Sequence, residues 1–324
     1  MNSLWGWIGF NIAVLAILAL DLGILHKRNE RVSLREAATW SAVWVSLSLT
    51  FAFFVWRTMG REPGLQFLTG YLIEYALSVD NIFVFVLIFT YFKVPDEYQH
   101  RVLFWGILGA LLLRGIMIIA GSALVSRFAW TLYIFGAFLV FTGIKMALQK
   151  DGDHYNPEKD PVLRLARKMM PVTKDYHGDS FFVEQPDATG KIVKSATPLF
   201  IVLILVNTTD IIFATDSIPA IFAVTRDPFI IYTSNICAVL GLRALYFLLA
   251  NVVDKFAYLK LGLSLVLIFI GAKMLFEHFL HIPIVASLGV VGAILATSIL
   301  ASLRWPRPEH AAAAADPPDP KRLP

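Results

Sequence analysis

Apolar residues in this chain come in blocks of about 20, the length an α-helix needs to cross a hydrocarbon core. Polar residues gather in the gaps between the blocks. Nine blocks can be drawn, roughly 4–25, 38–57, 65–91, 102–124, 128–148, 197–224, 230–252, 257–279 and 283–303. The pattern predicts an all-α polytopic membrane protein of about nine transmembrane helices. The first block has no basic segment before it, is long for a leader and ends near Asp21, so it reads as a span and not as a cleaved signal. Two polar stretches interrupt the rhythm. In the long loop 149–196, VLRLARKMM (162–170) has the make-up of a short basic amphipathic helix. Further on, FFVEQPDATGKIVK looks like a small hairpin turning at DATG; a solvated connector is the plainer alternative. The tail AAAAADPPDPKRLP is low in complexity and expected to be disordered.

Composition agrees with the pattern. The 324 residues are 57% hydrophobic and 16% charged, with mean hydropathy +0.66, too little charge for an ordinary soluble domain. The single cysteine, Cys237, lies in an apolar block and can make no intrachain disulfide. With the N-terminus outside, twenty of the 28 Lys and Arg fall in inner loops and four in outer ones, and Arg114, Lys145, Arg243 and Lys273 lie within spans. That bias follows the positive-inside rule and sets an N-out, C-in topology. The basic charge is then topological and gives no reason to invoke nucleic acid. Lys145 and Lys273 lie near span ends, where their stems can snorkel.

The chain repeats itself. EYALSVDNIF (74–83) recurs as DIIFATDSIP (210–219), pairing Glu74 with Asp210, Asp80 with Asp216 and Asn81 with Ser217. GALLLRGIMII (109–119) matches AVLGLRALYFL (238–248), pairing Arg114 with Arg243, and LVFTGIKM (139–146) matches LIFIGAKM (267–274). Each copy holds three spans, an odd number, so the second must enter the membrane from the opposite side. Spans 3–5 and 6–8 therefore read as a 3+3 inverted-topology repeat, an architecture that places a substrate site near the midplane. The expected layout is two peripheral helices (1–64), a first repeat (65–148), a cytoplasmic loop (149–196), a second repeat (197–280), a last helix (281–303) and a cytoplasmic tail (304–324). Gly136, Gly143, Gly262 and Gly271 are expected at close helix contacts, and Asn11 and Asp21 at packing or interface positions.

A carboxylate at the centre of a span costs about 2.5–3.5 kcal/mol on insertion scales, so intramembrane acids point to function. Glu74 and Asp80 are six residues apart, about 240° around a straight helix and about 9 Å along it. They cannot aim at one spot. Either the helix unwinds near 78–81 or the other repeat completes the site. Pro219, which frees the carbonyl of Thr215, favours a helix break in the second copy. The donors on offer are almost all oxygen: Glu74, Asp80, Asp210 and Asp216, Asn81 and Ser217, with Ser78, Asn207 and Thr215 as possible additional ligands. Such donors suit Mg²⁺, Ca²⁺ or Mn²⁺ over Zn²⁺ or Cu⁺. Four carboxylates against Arg114 and Arg243 leave two negative charges, balanced by one divalent cation or by protonation.

These motifs, with YIFGAFLVFTGIKM (133–146) and the hairpin-like HGDSFFV (177–183), resemble the TerC family of integral membrane proteins over essentially the whole chain. The resemblance is strongest to its Alx-like branch. It implies a lysine-exporter-like fold, Mn²⁺ export across the inner membrane and an association with tellurite resistance. It also implies metal ligation by Glu74, Asp80, Asn81, Asp210, Asp216 and Ser217, with no resident cofactor. Asn207 stands where many members of the family are expected to have an acid. Two other classes compete. An intramembrane aspartyl protease would use Asp80 and Asp216 as a dyad, but the chain has no GxGD motif. A non-transporting scaffold would dock partners on 149–196.

Overall fold

The computed structural model describes residues 4–25, 33–148, 163–164, 170–173, 175–186, 192–250, 258–279 and 281–305. Most of the expected amphipathic helix at 162–170, the DATG turn and the C-terminal tail lie outside them. The elements in chain order are α1 (Leu4–Leu25), α2 (Leu34–Met59), α3 (Arg61–Tyr91), α4 (Asp96–Arg127), α5 (Thr131–Leu148), β1 (Phe182–Pro186), β2 (Ile192–Ala196), α6 (Pro198–Phe222), α7 (Pro228–Leu240), α8 (Leu242–Leu249), α9 (Leu259–Leu275) and α10 (Ile284–Arg304). The described residues are mostly helical, and seven stretches among them are long and apolar enough to cross a membrane: α2 to α6, α7 with α8, and α10. Helices α1 and α9 occupy the other two expected blocks. The 17 residues of α9 rise about 26 Å, slightly less than a hydrocarbon core.

Local chemistry sets the helix ends. The Ser33 hydroxyl caps α2 by accepting from the Glu36 N–H at 3.2 Å. The Asp227 carboxylate caps α7 through the Phe229 N–H at 2.9 Å, with Pro228 in the first turn. Gly60, at φ +106°, is the single residue joining α2 to α3, a conformation that side-chained residues avoid. The hairpin expected around residue 187 is present: β1 pairs antiparallel with β2, Phe182 opposite Ala196. The segment leading into it, 175–181, docks on the ends of α3 and α4, where the Tyr176 hydroxyl donates to the Phe92 carbonyl at 2.8 Å. Arg101 pairs with Asp179 and lies over the Phe181 ring at 5.1 Å.

Helices α3, α4, α6 and α7 form the interior, while α2, α5 and α10 turn apolar side chains such as Phe53, Phe141 and Leu300 outward. The closest helix pair is α5 with α9. A methyl group added at Gly143 would stand 2.8 Å from the Ser264 carbonyl, and one at Gly271 only 2.6 Å from that of Gly136. When the two copies are aligned, Gly143 matches Gly271 and Gly136 matches Ser264, so the contact is reciprocal. Gly262 lies as closely against Ser298 of α10.

Two expectations about helix continuity need correction. α3 runs unbroken through Ser78–Asn81, and α6 runs through Pro219 to Phe222. Pro219 lies in the last turn of α6, where the lost N–H removes one bond and the ring meets the helix close to its end. The interruption falls instead at Gly241, which separates α7 from α8; glycine is the poorest helix former after proline.

Candidate functional site

Arg114 lies at the centre of the molecule with 0% exposure. From α4 it reaches three other helices. Its Nε and Nη2 donate to both carboxylate oxygens of Asp210 on α6, at 2.9 and 2.7 Å. Its Nη1 donates to Glu74 Oε1 on α3 and, at 3.4 Å, to Asn235 Oδ1 on α7. A bidentate guanidinium–carboxylate pair is among the strongest side-chain contacts, and at this depth it takes the place of water for both charges. Two carboxylates meet one guanidinium, and Glu74 Oε2 and Asn235 Nδ2 are buried with no hydrogen-bond partner. Of the two sequence-matched arginines, Arg114 is the one on the acids. Arg243, 8% exposed, lies in a separate small hollow with Glu36, Trp40 and His100, its Nη1 3.1 Å from His100 Nε2.

Asp80 and Asp216 lie six residues beyond Glu74 and Asp210 along the chain, on α3 and α6. They belong to the two matching segments, and the Asp216 charge acts on Asp80. Lys260 of α9 adds positive charge near Asp80. From α5, the Thr142 hydroxyl bonds to Asp216 and Lys145 adds its charge there. On the same helices, Ser78 Oγ, Asn81 Oδ1 and Ser217 Oγ are buried without partners. Both helices stay continuous through these residues.

The possible additional ligands fall differently. The Thr215 hydroxyl bonds back to the Ile212 carbonyl on an exposed face of α6. Asn207 donates to the Leu203 carbonyl at 2.9 Å, presses on Gly109 and leaves Oδ1 unpartnered. Among the described residues no three His, Cys, Asp or Glu side chains stand together as a metal cluster, so a cation at Asp80 and Asp216 would draw on amide and hydroxyl oxygens as well. Asn235 was not singled out from the sequence. The signal was there: Thr233, Ser234 and Asn235 are three polar residues in an apolar span, all at 0% exposure.

Residues 59–310 match the family described as "Integral membrane protein TerC family". The chain is 55% identical over 297 residues to "Uncharacterized membrane protein STKORF319" of Myxococcus xanthus, covering 92% of this chain and 91% of that one. It is 52% identical over 306 residues to "Putative membrane-bound redox modulator Alx" of Escherichia coli (strain K12), covering 92% and 93%. An "Uncharacterized membrane protein" of Rickettsia bellii is 43% identical over 297 residues, covering 92% and 96%. No solved structure matches the chain.

Proposed function

The chain belongs to the TerC family of integral membrane proteins, and from that premise we propose that it carries a hard divalent cation, Mn²⁺ first, out of the cytoplasm across the inner membrane. One observation carries the reading. Asp80 and Asp216 occupy matching places in two related segments, the Asp216 charge reaches Asp80, and on the same two helices the buried oxygens of Ser78, Asn81 and Ser217 have no partner. The two carboxylates, with amide and hydroxyl oxygens, offer hard oxygen donors; such donors suit Mn²⁺, Mg²⁺ or Ca²⁺.

In this reading the four acids divide their labour. Glu74 and Asp210 already have a cation, the Arg114 guanidinium, and hold the pathway's charge balance. Asp80 and Asp216 take the metal. The segments 65–148 and 197–280 are inverted copies that rock about the α5–α9 contact, opening the site to each side in turn. Apolar packing around Phe85, Phe89 and Leu205 closes one side and packing around Ile73, Ile218 and Phe222 the other, as in an occluded stage of such a cycle. Proton exchange for the metal gives the return stroke. The name of the Escherichia coli relative refers to redox. In this chain Cys237 is buried among apolar side chains, so a redox effect through metal supply fits better than one through its thiol.

The test is metal flux into proteoliposomes of the purified full chain, comparing Mn²⁺, Mg²⁺, Ca²⁺ and Zn²⁺ with and without a pH gradient. Mn²⁺ flux in the wild type, lost in Asp80→Asn/Asp216→Asn, supports the proposal. Wild-type protein that moves no metal under any gradient refutes it. The scaffold reading would then lead, with its own signature: function lost on deleting 149–196 and kept in the Asp variants.

A further inference from the structure

Away from the acids, α1 and α2 do not close on each other. Between them and α7 lies a slot of about 460 Å³. Its wall on α1 runs from Trp5 to Ile17 at positions 5, 6, 9, 10, 13, 14 and 17, one face of the helix. The small residues Gly6, Gly9 and Ala13 on that face leave the space open. Trp44 to Phe54 of α2 form the other wall, and Phe229, Cys237 and Leu240 of α7 the floor. The lining positions on α1 span about 18 Å of its axis. A slot of that length suits an extended hydrocarbon chain laid along the helix.

The wall chemistry fixes the kind of occupant. The Ser48 and Thr50 hydroxyls both bond back to their own helix, to the Trp44 and Ser46 carbonyls at 2.9 and 2.8 Å. They leave nothing to hold ordered water, which needs two to four polar partners. An empty slot would forfeit dispersion contacts along its whole length. The slot is also continuous with lipid-facing surface, for Leu15 beside it is 58% exposed and Phe53 56%. We infer that this slot is a resident lipid site that seats one acyl chain of a bilayer phospholipid, with its mouth at Trp5, an aromatic of the kind that marks the membrane interface. The inference does not depend on the transport reading. It has a consequence for the core all the same: the chain lies on α7, the helix that brings Asn235 to Arg114.

The experiment places the full-length protein in phosphatidylethanolamine–phosphatidylglycerol vesicles. These carry a trace of phosphatidylcholine with a diazirine at the end of one acyl chain. After irradiation the adducts are mapped by peptide mass spectrometry. Adducts should concentrate on slot residues such as Val14, Phe51 and Cys237, well above those on Leu300 and Leu303 of α10. A methyl group added at Gly9 meets nothing within 4 Å, so Gly9→Leu fills the slot without disturbing helix packing. Gly9→Leu and, independently, Ala13→Leu should each cut the slot adducts about tenfold at unchanged unfolding temperature. Leu15→Phe, outside the slot, should not. Even labelling of all lipid-facing helices, or slot adducts that survive both filling variants, would overturn the site. So would chain-to-chain cross-links at Cys237 in a separate treatment with a bifunctional thiol reagent, which would make the occupant a second copy of the protein.

Discussion

Arg114 binds two carboxylates and an amide on three neighbouring helices, and its removal would strand both acids away from water. Breaking a buried pair from one side costs about 3–5 kcal/mol. Arg114→Gln should lower the denaturation midpoint in detergent accordingly. Adding Glu74→Gln and Asp210→Asn to that variant should recover most of the loss, since the whole cluster is then neutral. Arg114→Lys should recover little, because an ammonium cannot reproduce the bidentate grip. Asp80→Asn is expected to behave in the opposite way, with metal flux abolished and the midpoint nearly unchanged. The acids were legible in the sequence because a charge in an apolar block has few explanations. Asn235 was harder to see. An amide in a span is as often a packing residue, and nothing in the order of residues says that α7 delivers this one to a guanidinium.

Among the elements, α5 and α9 should be the least tolerant of added bulk. Gly143→Leu would force a side chain into the Ser264 backbone, 2.8 Å from where its first carbon must sit. We expect destabilisation of about 1–3 kcal/mol from overpacking, read as a lower unfolding temperature. Pro219→Ala makes a second test at this scale. Since α6 is helical through residue 222, alanine restores an N–H to the last turn, and both folding and flux should be kept. Loss of flux in this variant would mean that α6 unwinds during the cycle after all. The spans and the hairpin could be read from apolar block length and turn residues. The break could not be placed. A proline removes a hydrogen bond to the turn before it and crowds that turn, and packing along the whole helix decides whether the helix breaks there or merely loses one bond.

For the molecule as a whole, the docked hairpin has its own pH signature. Burial pushes the Tyr176 hydroxyl from 10.0 up to about 12. The docked form therefore keeps a proton that an undocked tyrosine releases, and docking is at full strength below pH 10 and weakens as pH climbs from 10 to about 12. Limited proteolysis of 149–196 should speed up across that window, and Tyr176→Phe should remove the dependence. The topology, N-out and C-in, is open to a separate test. A Cys237→Ser background with single cysteines placed in the loops should label from the cytoplasmic side at 149–162. The reciprocal seat of Gly136 and Gly143 on Ser264 and Gly271 has one more consequence, and it concerns ancestry. If the two segments descend from one sequence, such a self-matching surface is one through which two copies of that ancestor would pair. An ancestor half as long, inserted in both orientations, could have paired through it before duplication joined the two genes. The covalent link through 149–162 would then be dispensable, and residues 1–148 and 163–324 expressed as separate chains should find each other in the membrane and co-purify.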